Sequence, residues 1–178
     1  MANWKTCYDF MMQNEDSRRE HAIEPDAGGQ AISGINSAAF PLQFAKIAAL
    51  PQAERGPEVE AFYSAAFWNL WFDKIDSDEV AKRVFDAVVN IGIVPAVKCL
   101  QIAINSLKRK DPSGLPAEMM IDQDGHWGPD TVSHANYAPP DQLVSAFRTA
   151  REAHYRAIVA AHPEKAVYLD AWLARARK

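Results

Sequence analysis

The chain has 178 residues, 48% of them apolar, with a net charge of −4. That length and apolar share suit one domain or two small halves on a common core, and they exclude a disordered chain. No run approaches the ~20 apolar residues of a membrane span, and the scattered basic residues, with one dense cluster at Lys108-Arg109-Lys110, exclude a nucleic-acid surface.

Almost every segment reads as helix. Trp4 to Gln13 carries Trp4, Cys7, Tyr8 and Met11 at helical spacing, which predicts one buried face. The polar run from Asn14 to Asn36 breaks it. Pro25 and three glycines make this segment a loop or a short hairpin. A second helix is expected over 40–50, closed by Pro51, and a third from Pro57 to about Phe72, aromatic on all sides and therefore largely buried. Asp76 is the expected cap of the next helix, with Glu79 reaching back. Val80, Val84 and Val88 give it a buried stripe, and Gly92 ends it. Pro95 opens a helix bearing Val97, Leu100, Ile104 and Leu107, and 108–128 is loop-rich. A short helix follows Pro129, a long amphipathic one runs from Pro140 to about Ala161, and a last one after Pro163 ends near Arg177. The fold class is all-α, packed around one deep helix near 77–91, with room for a small β-ribbon near 20–36.

Two carboxylates flank the first break. Glu15 lies at a helix end and Asp26 eleven residues on, before Gly28 and Gly29. A pair of carboxylates across a cleft is what glycosidic cleavage needs: one protonates the leaving oxygen, the other stabilises the oxocarbenium-like centre or activates water. Glycine at 28 and 29 permits a tight turn and a close approach of substrate to the backbone. Taken alone the spacing is more often that of solvated loop acids, and Glu20 and Glu24 share the loop. Asp16, next to Glu15, is expected to point elsewhere. Asp86 and Asn90 are one helical turn apart and share a face, either a cleft wall or a polar outer stripe with Lys82 and Arg83. Trp68 and Trp71 are of a kind that stacks on sugar rings, although helix tryptophans are more often core. Cys7 and Cys99 read as buried thiols. The five histidines, with His126/His134 and His154/His162 each eight apart, lack metal-ligand spacing and are expected on the surface.

The order of these features resembles glycoside hydrolase family 108, the phage-type and secretion-associated N-acetylmuramidases. Glu15 … Asp26-Ala27-Gly28-Gly29 … Gly34-Ile35-Asn36 resembles the family's acid, Asp-x-Gly-Gly and Gly-Ile pattern. Phe67-Trp68, Phe85-Asp86-Ala87-Val88-Val89-Asn90-Ile91-Gly92 with Leu100-Gln101, Asp124-Gly125-His126-Trp127-Gly128-Pro129-Asp130-Thr131, and Trp172-Leu173-Ala174-Arg175 resemble its later motifs in the same order.

The resemblance implies a lysozyme-like fold with a catalytic half over 1–92 and a helical peptidoglycan-binding half over 93–178, packed as one unit. It implies a muramidase cleaving the β-1,4 bond between N-acetylmuramic acid and N-acetylglucosamine. Glu15 would be the general acid and Asp26 the second carboxylate, with Gly29, Ser33, Asn36, Trp68, Asp86 and Asn90 holding substrate. Neither metal nor cofactor is implied. The partner would be peptidoglycan glycan strands, met by a monomer.

Met1-Ala2-Asn3-Trp4-Lys5 shows no signal-peptide pattern. Synthesis in the cytoplasm is therefore expected, with action in the periplasm or cell wall after delivery by a holin or secretion system. One position departs from the pattern: Ala31 stands where the family carries a threonine able to hold the attacking water. Ser33 or Asn36 is the candidate to replace it. A non-catalytic wall-binding protein, or a lyase that dispenses with that water, is the alternative reading.

Overall fold

The computed structural model describes residues 1–26, 29–68, 71–108 and 120–178. Its helices are α1 (Trp4–Glu15), α2 (Pro41–Ala48), α3 (Arg55–Phe67), α4 (Asp78–Ile91), α5 (Ile93–Lys108), α6 (Pro129–Tyr137), α7 (Pro140–Ala161) and α8 (Leu169–Ala176). Between α1 and α2 lies a small antiparallel sheet in the order β1 (Ile23–Asp26), β2 (Gly29–Ile32), β3 (Ile35–Asn36). The mainly helical class and the ribbon are both as the sequence predicts. Gly28, the basic residues 109–110 and most of the 108–128 loop fall outside the described residues.

The core is one contiguous cluster that draws on both halves of the chain. Met11 and Met12 of α1, Val84 and Phe85 of α4, Val97 and Leu100 of α5, and Leu143 and Phe147 of α7 all belong to it. Helix α4 sits at its centre, with Val80, Ala81, Val84, Phe85, Asp86, Ala87 and Val88 buried. An aromatic group joins α1 to α4 and the preceding turn: Trp4 packs edge-on against Trp68 and Phe85 at 5.3 and 5.5 Å, and Phe72 lies between Trp68 and Trp127. Cys7 and Cys99 are free and buried, and burial pushes their thiols up to about 12 and about 11.

Five expectations are corrected. Helix α1 continues through Glu15 rather than stopping near Gln13; Asn3 caps its start by accepting from the Thr6 amide at 3.0 Å, and the chain leaves the helix at Asp16, whose amide still donates to the Met12 carbonyl. Helix α3 ends at Phe67, not Phe72; Trp68 is extended, and Phe72–Lys74 forms a separate 3₁₀ turn. The cap of α4 is Ser77, whose hydroxyl accepts from the Val80 amide, one residue beyond Asp76. Helix α5 begins at Ile93, not at Pro95, directly after Gly92 at φ 85°; proline is tolerated in the first turn, where its missing N–H has no helical partner anyway. The segment after Pro163 opens as a 3₁₀ helix (Pro163–Tyr168) and becomes α8 only at Leu169.

Candidate active site

A groove of about 470 Å³ opens between the C-terminal end of α1 and the sheet. Glu15, Asp16 and Arg18 form one side, Glu24 and Asp26 of β1 the other, and Ala31, Ser33 and Gly34 contribute from β2 and the turn after it. The period-two alternation of a strand puts Glu24 and Asp26 on one face, and the register sets Ala31 opposite Glu24. The structure thus brings the two sequence-nominated carboxylates, Glu15 and Asp26, to a single groove. It also brings Asp16 there, against expectation.

Glu15 is held from two directions. Its Oε1 accepts from Arg175 Nη2 of α8 at 2.5 Å. Its Oε2 rests against Gly34, where a Cβ would stand 2.3 Å from that oxygen and 2.8 Å from the Tyr63 hydroxyl. Gly34 has φ 83°, so glycine is required there both for backbone conformation and for the space the carboxylate occupies. The Tyr63 hydroxyl donates to the Ser33 carbonyl at 2.7 Å and fixes this turn from below. Burial, with the Glu15 carboxylate adding to it, pushes the Tyr63 phenol well above its ordinary range, so it stays a donor.

Asp26 is exposed, and its Oδ2 accepts from Asn36 Nδ2 at 2.6 Å. Asn36 Oδ1 accepts in turn from the amides of Ala38 and Ala39. Asn36 therefore braces Asp26 across the sheet. Ser33, the other candidate water-holder, is buried, donates to Asp16 Oδ2 at 2.7 Å and stands 2.7 Å from His21 Nδ1. A serine has one proton to give, and here it goes to Asp16, so His21 Nδ1–H is the donor to the Ser33 oxygen.

Asp16 also accepts the amides of Glu20 and His21, at 3.1 and 2.8 Å. Burial works against its carboxylate, but the donors from Ser33, His21 and Glu20 outweigh it and hold the pKa below the ordinary range. His21, expected on the surface, is half-buried: burial, with Arg19 and Arg55, lowers its pKa against the pull of Asp16. Arg19, His21 and Ser33 have φ of 57°, 50° and 48°, an uncommon concentration of left-handed backbone at non-glycine residues. Arg55 pins the loop by donating to the carbonyls of His21, Ala48 and Leu50.

The other nominated residues lie elsewhere. Gly29, at φ 153°, packs against Ser37, whose hydroxyl would stand 2.5 Å from a Cβ there. Trp68 belongs to the aromatic core group and donates to Asp73 Oδ1 at 3.0 Å. Asp86 is 0% exposed and is not a cleft wall. Its carboxylate accepts from Asn14 Nδ2 (3.0 Å), from Arg151 Nη1 (2.8 Å), and from Arg175 through Nε and Nη2 (3.1 and 2.8 Å). Asn90 extends the same network, accepting from the Tyr155 hydroxyl and from Arg151 Nη2. The physical reason for the placement of Asp86 is charge balance: a buried carboxylate is tolerated only when paired, and α7 and α8 each supply a guanidinium; Asn90 serves as a neutral acceptor for Arg151 and Tyr155.

Arg175, Arg151, Gly34 and Tyr63 were not singled out from the sequence as site residues. A signal existed for Arg175 in the Trp172-Leu173-Ala174-Arg175 motif, but nothing local connects it with a glutamate 160 residues away. The Asp124–Thr131 motif is tied to α5: Gln101 donates to Asp124 Oδ1 at 2.9 Å and accepts the Gly125 amide at 2.8 Å. Among the described residues, no cluster of three or more His, Cys, Asp or Glu side chains is placed to hold a metal ion, and no helix is long and apolar enough to cross a membrane.

The molecule is thus a helical body carrying a small β-ribbon, with an acidic groove between them. Residues 10–92, which include Glu15, Asp26 and all three strands, match the family described as Glycosyl hydrolase 108. The solved structure of Brucella abortus SagA has the same fold, with a TM-score of 0.59 and 19% identity over 97% of this chain and 92% of that one. No curated protein matches the chain.

Proposed function

We propose that this protein is a peptidoglycan hydrolase of the muramidase type, cleaving the β-1,4 bond between N-acetylmuramic acid and N-acetylglucosamine. The observation that carries the reading is the convergence of Glu15, from a helix end, and Asp26, from a strand, on one groove of about 470 Å³. Glu15 is the proton donor to the leaving oxygen. Its carboxylate is fixed by Arg175 and Gly34, which serves a transfer that depends on orientation. Asp26, braced by Asn36 on the opposite side, is the second carboxylate. Residues 1–92 form the catalytic half and 93–178 a wall-binding half that shares its core. The protein acts as a monomer on the cell wall, brought there by a holin or a secretion system.

The test is digestion of purified peptidoglycan with release of reducing ends as the readout. Wild-type protein releases them, and Glu15→Gln, which keeps the shape and removes the transferable proton, does not, while its circular dichroism spectrum stays that of the folded protein. Equal release by both would remove Glu15 from the mechanism.

One observation favours a second reading. Ala31 lines the groove with a methyl group, and the hydroxyl of Ser33 is already given to Asp16. A wall-binding protein on the same scaffold needs no held water. It would retain binding to peptidoglycan and release no reducing ends.

A further inference from the structure

We propose that Arg175, on α8, is a positioning residue for Glu15, so that the groove in the N-terminal half is completed by the C-terminal end of the chain; this rests on the reading of Glu15 as proton donor. The Arg175 guanidinium spans two carboxylates. Nη2 reaches Glu15 Oε1 at 2.5 Å and Asp86 Oδ1 at 2.8 Å, and Nε reaches Asp86 Oδ1 at 3.1 Å. Asp86 is anchored in turn by Arg151, which is 2% exposed, at 2.8 Å. Two carboxyl groups and two guanidiniums thus alternate from the groove into the core, Glu15–Arg175–Asp86–Arg151.

Only the first member meets the groove. Burying such a chain is costly, and replacing it with apolar side chains would be as stable or more so. What the polar arrangement supplies is direction. A planar guanidinium donating to two carboxylates fixes the angle as well as the distance. Helix α8 is itself fastened where it presents Arg175: Lys178 Nζ donates to Asn14 Oδ1, and the Lys178 carbonyl accepts from Arg83 and Arg148. Glu15 Oε1 is thereby engaged, and Oε2 is confined against Gly34.

The experiment compares Arg175→Lys, Arg175→Gln and Arg177→Gln in the full-length protein. Arg177 is exposed and pairs with Glu152, so it controls for loss of charge on α8. On purified peptidoglycan, Arg175→Lys should lower kcat about 10- to 100-fold with KM within about twofold, the cost expected of misplacing a reacting group by ~1 Å. Arg175→Gln should fall further, and Arg177→Gln should match wild type. Folded Arg175 variants with unchanged kcat overturn the proposal.

Should the Arg175 variants not fold, the contact is read in the intact protein from the guanidinium ¹⁵N resonances. Glu15→Gln should shift the Arg175 Nη signals and leave those of Arg151 in place; an unmoved Arg175 signal overturns the proposal. A wild-type protein inert on peptidoglycan, but with the Arg175 shift present, would sink the hydrolase reading while the positioning contact stands.

Discussion

At the scale of single residues, glycine and small polar groups do the shaping at this groove. Gly34 combines a left-handed backbone with contact to Glu15 Oε2, so Gly34→Ala meets two penalties. The backbone strain alone costs about 1–2 kcal/mol, and the new methyl group must displace the carboxylate. We expect Gly34→Ala to lower the unfolding free energy by at least that amount and to abolish reducing-end release. A variant that folds less stably but digests normally would show that the position of Glu15 is not critical. Ala31 offers the opposite case. If hydrolysis lacks a hydroxyl to hold water, Ala31→Thr should raise turnover roughly tenfold, equivalent to about 1.4 kcal/mol. Unchanged or lower turnover would mean that the water is held elsewhere or that the added bulk obstructs the groove.

The pairing of Asp16 with Ser33 and His21 makes the loop sensitive to acid. Asp16 has a folded pKa below its unfolded value, so its contribution is present above the ordinary carboxylate range and is lost as pH falls through the folded value. His21 is lowered as well, which favours the neutral ring; its contribution is present above the ordinary histidine value of 6.5 and lost as pH falls through the folded one. Both act in the same direction. Wild-type protein should lose stability progressively as pH is taken from 7 through the histidine range and then the carboxylate range. Asp16→Asn should show a shallower dependence through the carboxylate range in chemical unfolding at a series of pH values, and an identical slope there would exclude Asp16 as a source.

Between elements, Asp86 is the bolt. It sits on α4 and receives donors from α1, α7 and α8. Asp86→Asn leaves Arg151 and Arg175 buried beside a neutral amide, and breaking a buried pair in this way costs about 3–5 kcal/mol. We expect a loss of that size in denaturant unfolding. A loss under ~1 kcal/mol would mean that water reaches the arginines and that the network is not closed. This element also marks the limit of what the sequence reveals. The valine stripe, Gly92 and the central position of α4 follow from local patterning, as do the ribbon after α1 and the proline-led starts of α6 and α7. The polar face of α4 does not. Asp86 and Asn90 have the spacing of a solvated stripe or a cleft wall. Whether such a face is wet or buried depends on arginines 65 and 89 residues further on. The same long reach hid Arg175. Glu15 and Asp26 were singled out by the resemblance to a family motif, since their spacing alone is that of solvated loop acids; the structure places both on the groove. Asn36 and Ser33 were found as groove-region residues, but their hydrogen-bonding partners depend on the register of β2 with β3 and on the turn after α1.

For the molecule as a whole, the two halves are one physical object. The core is continuous across residue 92, and the carboxylate at the groove is held by the last helix. The family match covers 10–92, yet the orientation of Glu15 depends on residues beyond it. The central claim is that this assembled groove hydrolyses the glycan of peptidoglycan with Glu15 as the acid. Mass spectrometry of the fragments released from purified peptidoglycan tests it most directly. The account predicts fragments that have gained one water per cleavage, ending in reducible N-acetylmuramic acid, from wild type and not from Glu15→Gln. Anhydro-sugar ends would point to a lyase, and wild-type protein that binds the wall without releasing any fragment would contradict the account outright.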